Sequence, residues 1–483
     1  MVKEEKFDFE ANTLRAKKSD LPLWYSQVVT AADLIDDRFD IKGAAVWKPY
    51  GYKVMMNLKQ FWDNLFQGTG IEEMYFPLIV PISYAEQNES WWAGFKTEGY
   101  KVIAGSDNKV QGILRPTGEP AMYPMFALWI REHNTLPLRI YQTVNSYRYE
   151  TKQTKPLIRT REITVWHEIH TAHASMEDAN KEMDLHMEFY DTIFNWCALP
   201  AFKVKKPIWE CFPGAVGAVE YYTTTPEARV MENGSVNNLG QAYAKKFNIK
   251  FKDASGKEQH VWQLCTGNGA RLLGGIIIVH GDDHGLVLPP NIAPLKVVIV
   301  PIWKKGEEKE VLAEARKVLK SFSDEGIVAK LDDRNITPGK KFYEYEIKGV
   351  PIRVEIGPKD IQNKSVVMVR RDTLEKYNVL MSKAAGEVKQ MLVSMQKDML
   401  KRAQDMLDTQ FSDAANIADI KKNLANKKIS RLPWCDSREC YDKVGAIEEG
   451  LEGFGSDMEA IKECPCAICS KPAKTLLYAA KTY

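Results

Sequence analysis

At 483 residues the chain has room for two to four domains. Its 45% apolar and 27% charged residues are the mix of an ordinary soluble globular protein. With 66 basic against 64 acidic residues the net charge is +2, so bulk charge says nothing about nucleic acid, and any such contact must come from local basic patches. No apolar run approaches the ~20 residues of a membrane helix. The opening MVKEEKFDFEAN is charged, without the apolar core of a secretory signal, so the expected compartment is the cytoplasm.

Residues 1–20 are polar and are expected to be flexible. From Trp24 to Val54 helix and turn signals mix, and residues 53–66, KVMMNLKQFWDNLF, carry apolar side chains at helical spacing. MYFPLIVP (74–81) reads as a buried strand broken by Pro77 and Pro81. Residues 120–132 read as a helix with prolines near its start. LPLRIYQTVNSYRYE (136–150) and RTREITVWHEIHTAH (159–173) read as two strands joined by a charged turn at Lys152–Lys155. Residues 176–200 read as helix, and VWQLCTGNGARLLGGIIIVHGDD (261–283) as a strand, a glycine-rich turn and a helix. The texture changes at the PPNIA turn, residues 289–293. Beyond it, APLKVVIVPI, a helix over 307–322, IVAKLDD, a helix after Pro338–Gly339 and VPIRVEIG alternate as a βαβ pattern with a parallel or mixed sheet. Residues 380–428 are mostly helical and lysine-rich.

Five middle segments place charges inside or beside apolar strands: RPTGEP (115–120), SYRYE (146–150), RTRE (159–162), WHEIH (166–170) and GARLLGG (269–275). Charged residues are rarely buried without a partner or a function. Arg148 and Glu150 alternate, which places both on one face of a strand; Trp166, Glu168 and His170 do the same. Such a floor suits a zwitterion beside a phosphate, because arginine forks bind carboxylate or phosphate and carboxylates bind an ammonium. For any single pair, a structural ion pair is the competing reading.

Those segments, with NNLGQAYAKKF, VHGDDHGLVLPP, LDDRNITPGKKFYEYEIKGVPIRVEIGPKDI and the terminal AAKTY, are similar to archaeal- and eukaryotic-type prolyl-tRNA synthetases from about Trp24 to Tyr483. The resemblance implies a class II antiparallel catalytic sheet (21–290), an α/β anticodon-binding domain (291–385) and a small zinc-binding C-terminal domain (386–483). It implies activation of proline by ATP and Mg²⁺ and transfer to tRNA(Pro). It also implies a homodimer, with residues 43–81 as the dimer-forming segment, and a chain end that folds back toward the catalytic domain. By the same resemblance Arg148 holds the α-phosphate and the amino-acid carboxylate, Glu150 lies near the adenine, Arg159 meets the outer phosphates and Arg271 clamps the γ-phosphate. Thr117 and Glu119 bind the amino acid, with Glu119 taking the ring ammonium; Trp166, Glu168, His170, Phe212 and Gly269 complete that pocket. Glu232, Ser235 and Asn237 fall at nucleotide-binding positions, and Glu346, Arg353 and Lys359 at positions that read anticodon bases.

The chain departs from the family pattern at several pocket positions. The family usually reads threonine-serine-glutamate at Thr117-Gly118-Glu119 and a hydroxyl or acid pair at Gly269-Ala270. It reads a tyrosine-threonine pair at Gly217-Ala218, glutamine at Glu232 and threonine-x-histidine at Ser235-Val236-Asn237. The smaller side chains lead to the expectation of a larger, less polar cavity, preferring a bulkier or more cationic relative of proline. A paralogue with a changed substrate, or a non-catalytic tRNA-binding protein, is the alternative reading. Retention of Arg148, Arg159 and Arg271 weighs against the latter.

Eight cysteines in a chain this long are not a disulfide framework. Cys197, Cys211 and Cys265 are scattered and read as ordinary core or site-lining thiols, but Cys435, Cys440, Cys464, Cys466 and Cys469 crowd one C-terminal stretch. Cys435-x4-Cys440 and Cys466-x2-Cys469 suit a tetrahedral structural Zn²⁺, with Cys464 as a possible substitute for Cys466.

Overall fold

The computed structural model describes residues 13–106 and 108–483; residues 1–12, most of the stretch expected to be flexible, lie outside the described residues. Two compact units share the chain. One comprises Lys59–Asn195, Pro200–Gly275 and Asp405–Tyr483, and the other Trp196–Leu199, Ile276–Gln404 and the described part of Met1–Leu58.

The first unit is built on one sheet. Its first seven strands are β1 (Glu72–Glu73), β2 (Leu138–Tyr147), β3 (Glu162–His173), β4 (Phe202–Lys205), β5 (Gly217–Thr224), β6 (Val230–Gly240) and β7 (Trp262–Asn268), in the spatial order β4-β5-β6-β7-β3-β2-β1. Every pairing from β4 to β2 is antiparallel. The register places Glu168 between Gln142 and Gly267, His170 between Ile140 and Cys265, and Ser235 between Gly267 and Glu220. Cross-strand partners share a face, so Trp166, Glu168, His170, Cys265, Ser235, Asn237 and Glu220 all present to one side.

A bulge makes Glu232 join them. Tyr221 pairs with Gly234 but Tyr222 pairs with Glu232, leaving Asn233 as the extra residue. Without it, the odd spacing from Ser235 would turn Glu232 to the other face. That other face is covered by helix α2 (Met176–Trp196), which buries Glu182, His186, Phe189, Tyr190 and Ile193 at helical spacing. There His167 is enclosed by the rings of Trp62, Phe66 and Tyr190. Helix α1 (Glu119–Trp129) starts at Glu119 with Pro120 in its first turn, where the missing N–H costs nothing.

Two expectations are corrected here. Residues 74–81 are not one buried strand: Tyr75 is 76% and Ile79 47% exposed, and only Ile79–Pro81 pairs, because Pro77 interrupts the run of donors. Strand β2 ends at Tyr147, so Arg148 and Glu150 stand in the loop beyond it rather than alternating on the strand.

The second unit carries a five-stranded sheet: β8 (Val297–Pro301), β9 (Ala329–Leu331), β10 (Ile352–Ile356), β11 (Ser365–Arg370) and β12 (Lys376–Leu380), in the order β9-β8-β10-β11-β12. The β8–β9 and β8–β10 pairs are parallel and the β10–β11 and β11–β12 pairs antiparallel, so the sheet is mixed. The unbroken apolar run of β8 follows from burial on both faces. Val297 and Ile299 pack with Val318 and Phe322 of α3 (Glu308–Asp324), and Val298 and Val300 with Tyr345 of α4 (Pro338–Ile347). Helix α5 (Ala384–Gln410) adds Ala384 and Val388 to the first of these clusters.

The last strands, β13 (Phe411–Asp413), β14 (Ile429–Trp434), β15 (Leu451–Ser456) and β16 (Thr475–Lys481), return to the first sheet and extend it to eleven strands. The join is the pair Ser456↔Lys205 between β15 and β4. Phe454, Tyr478, Val204 and Tyr222 seal it as one apolar cluster.

Candidate active site

The face of the large sheet shared by Glu168, Cys265 and Ser235 floors a cavity of about 410 Å³. Thr117, Glu119, Arg148, Glu150, Arg159, Trp166, Glu168, His170, Phe212, Glu232, Ser235, Asn237, Gly269 and Arg271, though distant in sequence, all line it. Neighbouring strands lie ~4.8 Å apart, so the three steps from Glu168 to Glu220 carry the cavity about 14 Å across the sheet.

One end is acidic and aromatic. Glu168 is a buried carboxylate with three donors: Gln142 Nε2 at 2.7 Å, Gly118 N–H at 3.0 Å and His170 Nε2 at 3.3 Å. Burial pushes its carboxyl up, but His170, Gln142 and Arg115 outweigh that and hold it below the usual range. Glu119 is the opposite case. Among the described residues its Oε2 is buried with no partner, as is Thr117 Oγ1, and burial raises its carboxyl above the ordinary range. A buried acceptor without a donor costs on the order of 1–3 kcal/mol, which a ligand N–H relieves. The half-buried Trp166 ring forms the wall by lying over Gly267 and Gly269.

The other end is cationic. Arg148 Nε donates to Pro116 O at 3.2 Å while its guanidinium stacks on Phe95 at 5.4 Å. Arg271 donates to Ile158 O at 3.0 Å and to Glu232 Oε2 at 3.1 Å, and Arg159 lies 3.8 Å from Glu150 Oε2. Desolvation and the nearby Arg271 both disfavour the charge on Arg148, and an arriving phosphate would relieve both. Beside this end Tyr483 donates its N–H to Val230 O at 3.0 Å, and its ring lies 3.5 Å from Lys155 Nζ in the β2–β3 loop.

The geometry does not enlarge the cavity at two of the family departures. A Cβ on residue 118 would lie 2.6 Å from Glu168 Oε1, and one on residue 269 would lie 3.1 Å from the Trp166 ring. The space released by Gly118 and Gly269 is filled by Glu168 and Trp166, which corrects the expectation of a roomier pocket there. Gly217 faces open space. Sequence reasoning missed Phe95, Lys206 and Glu220 as cavity residues. Glu220, buried and bonded to Lys206 and Tyr222, had a usable signal: an acid within the apolar run VEYYT.

In the second unit Glu346 and Arg353 meet at 2.6 Å; Arg353 also bonds Glu355 at 3.0 Å and stacks on Phe342 at 4.1 Å. Both line a small depression with Arg370 and Arg371, whereas Lys359, on the short helix Pro358–Gln362, does not.

The Sγ atoms of Cys435, Cys440, Cys466 and Cys469 lie within 4.8 Å of one another. Cys435 is 3.6 Å from both Cys440 and Cys469, far beyond a disulfide bond and close to the ~3.8 Å between sulfurs sharing a tetrahedral Zn²⁺. The four thiols therefore fit the metal and leave no open position. Cys464 lies outside the group, paired in a short hairpin with Ala473.

Residues 95–280 match the tRNA synthetase class II core domain (G, H, P, S and T), and residues 296–391 the anticodon binding domain. Over 467 residues the chain is 39% identical to the proline–tRNA ligases of Thermococcus kodakarensis and Pyrococcus horikoshii, covering 95% of this chain and 97% of each relative. It is 36% identical over 483 residues to that of Methanopyrus kandleri, covering 98% of both.

Proposed function

Because the chain belongs to the proline–tRNA ligase family of class II tRNA synthetases, we propose that it activates proline with ATP and attaches it to tRNA(Pro). The observation that carries this is the polarity of the cavity: Glu119 Oε2 and Thr117 Oγ1, without partners among the described residues, and the Trp166 wall at one end, three arginines at the other. An amino acid laid between them directs its ammonium to Glu119 and its carboxylate to Arg148.

Activation needs no proton-transfer base, since the nucleophile is already ionised. A carboxylate oxygen forms a bond to the α-phosphorus, and the bond to pyrophosphate breaks with its electron pair on the leaving group. Arg148 stabilises charge as it builds at phosphorus, and Arg159 and Arg271 hold the outer phosphates. Mg²⁺, when bound with ATP, neutralises triphosphate charge; Glu232, beside Arg271, is an acid facing that region. The terminal ribose hydroxyl of the tRNA then attacks the activated carbonyl and AMP leaves.

In this reading residues 21–290 carry catalysis, 291–385 read the anticodon, with Glu346 and Arg353 facing its bases, and 386–483 hold a structural Zn²⁺. Lys359 keeps an anticodon role only at the margin of that site. The exposed Tyr75 and Ile79 belong to the segment assigned to a homodimer interface. The protein works in the cytoplasm; no helix among the described residues is long and apolar enough to cross a membrane. The rival reading, a family member with another amino acid, rests on Glu232, whose charge stands near the nucleotide site. Charging of tRNA(Pro) with labelled proline tests the proposal: stable prolyl-tRNA is the expected product, and none with active, zinc-replete protein refutes it.

A further inference from the structure

The Glu168 carboxylate can only accept, so the proton shared with His170 resides on Nε2. A neutral imidazole protonated there has a bare Nδ1. That nitrogen faces the hydroxyl of Tyr123 at 3.0 Å, which must then donate. With the proton on Nδ1 instead, two lone pairs would face each other across the His170–Glu168 contact. Tyr123 is fully buried and does not line the cavity. Its ring meets His170, Tyr243 and Phe247 edge-on, with centroids 5.5, 5.6 and 5.7 Å away. Burial raises its phenol well above the usual range, so the donor proton is retained at all working pH values.

We propose that Tyr123 is a positioning residue for the amino acid: its hydroxyl, donating to Nδ1, holds the His170 ring in the orientation that points Nε2–H at Glu168, and His170, with Gln142 and the Gly118 N–H, then locks Glu168. Three of the roughly four acceptor positions of Glu168 are thereby used. The incoming ammonium is left with Glu119, whose Oε2 has no partner among the described residues. The two carboxylates divide the work: Glu168 is a fixed negative floor and Glu119 the group that meets the substrate. This rests on the reading of the cavity as an amino-acid site.

The test uses the full chain labelled with ¹⁵N-histidine, the His170 signal being assigned by its loss in His170→Gln. In the unaltered protein it should show the Nε2–H tautomer. In Tyr123→Phe, which keeps the ring, the bare Nδ1 of His170 should lose its hydrogen bond and its ¹⁵N signal should move toward that of an unbonded nitrogen. The KM for proline in ATP–pyrophosphate exchange should rise about tenfold with kcat within about twofold, the loss expected for one buried hydrogen bond. A proton on Nδ1 in the unaltered protein overturns the proposal, and so does a Tyr123→Phe protein with unchanged Nδ1 signal and KM, even if its melting temperature falls. Should Tyr123→Phe not fold, the tautomer of the unaltered protein decides. Absence of proline activation in the unaltered protein counts against the proposed function and leaves the tautomer measurement standing.

Discussion

Gly118 and Glu168 share one volume: the carboxylate of Glu168 accepts the Gly118 N–H at 3.0 Å and occupies the place where a side chain on residue 118 would begin. Gly118→Ser therefore cannot simply restore a family contact. The serine displaces Glu168 and loosens its bond to Gln142. We expect the KM for proline to rise about tenfold, the equivalent of ~1.4 kcal/mol, with a smaller change in kcat. Steady-state exchange kinetics check this, and an improved KM would show that Glu168 relocates without penalty.

Arg148→Ala should lower ATP–pyrophosphate exchange by about 10²–10³-fold, the scale for removing one preorganised charge donor. Folding should be little affected, because the arginine's only protein acceptor described is the Pro116 carbonyl. Circular dichroism alongside the assay separates the two. Near-normal exchange would remove Arg148 from the chemistry.

Elemental analysis should find about one zinc per chain, lost in Cys466→Ser and retained in Cys464→Ser. Because β14, β15 and β16 continue the catalytic sheet, chelation should lower the melting temperature of the catalytic core and not only of its C-terminal part. Unchanged melting after complete zinc removal would contradict a structural role.

Acid should destabilise the fold through its buried histidines. His167, with neither ring nitrogen partnered among the described residues, is held down to about 3 by burial, and His173 to about 4. Their unfolded value is about 6.5, so below that pH the unfolded chain binds protons that the folded one refuses. Each contributes a loss of ~1.4 kcal/mol per pH unit as pH falls from about 6.5 toward its folded value. Urea unfolding at pH 7 and pH 5 should show the loss, and His167→Phe should reduce its slope.

The cavity residues were legible because charge inside an apolar strand is costly and therefore rare: Glu168 and His170 in β3 and Arg271 after β7 stood out on that ground alone. Their neutral supports did not. Gln142 and Tyr123 look like ordinary strand and helix residues, and only the register that sets Gln142 beside Glu168 reveals what they hold. The bulge at Asn233 turns on one unpaired residue, which no periodicity signals. The union of the C-terminal strands with the catalytic sheet was equally hidden, since Lys205 and Ser456 pair across a span of sequence that local patterns cannot bridge.

ATP–pyrophosphate exchange across proline, its analogues and all the standard amino acids tests the central claim most directly. The geometry of Glu119, Glu168 and Trp166 predicts that proline gives the highest kcat/KM. A preference for a bulkier or more cationic amino acid, with proline discriminated against by tenfold or more (~1.4 kcal/mol), would contradict it.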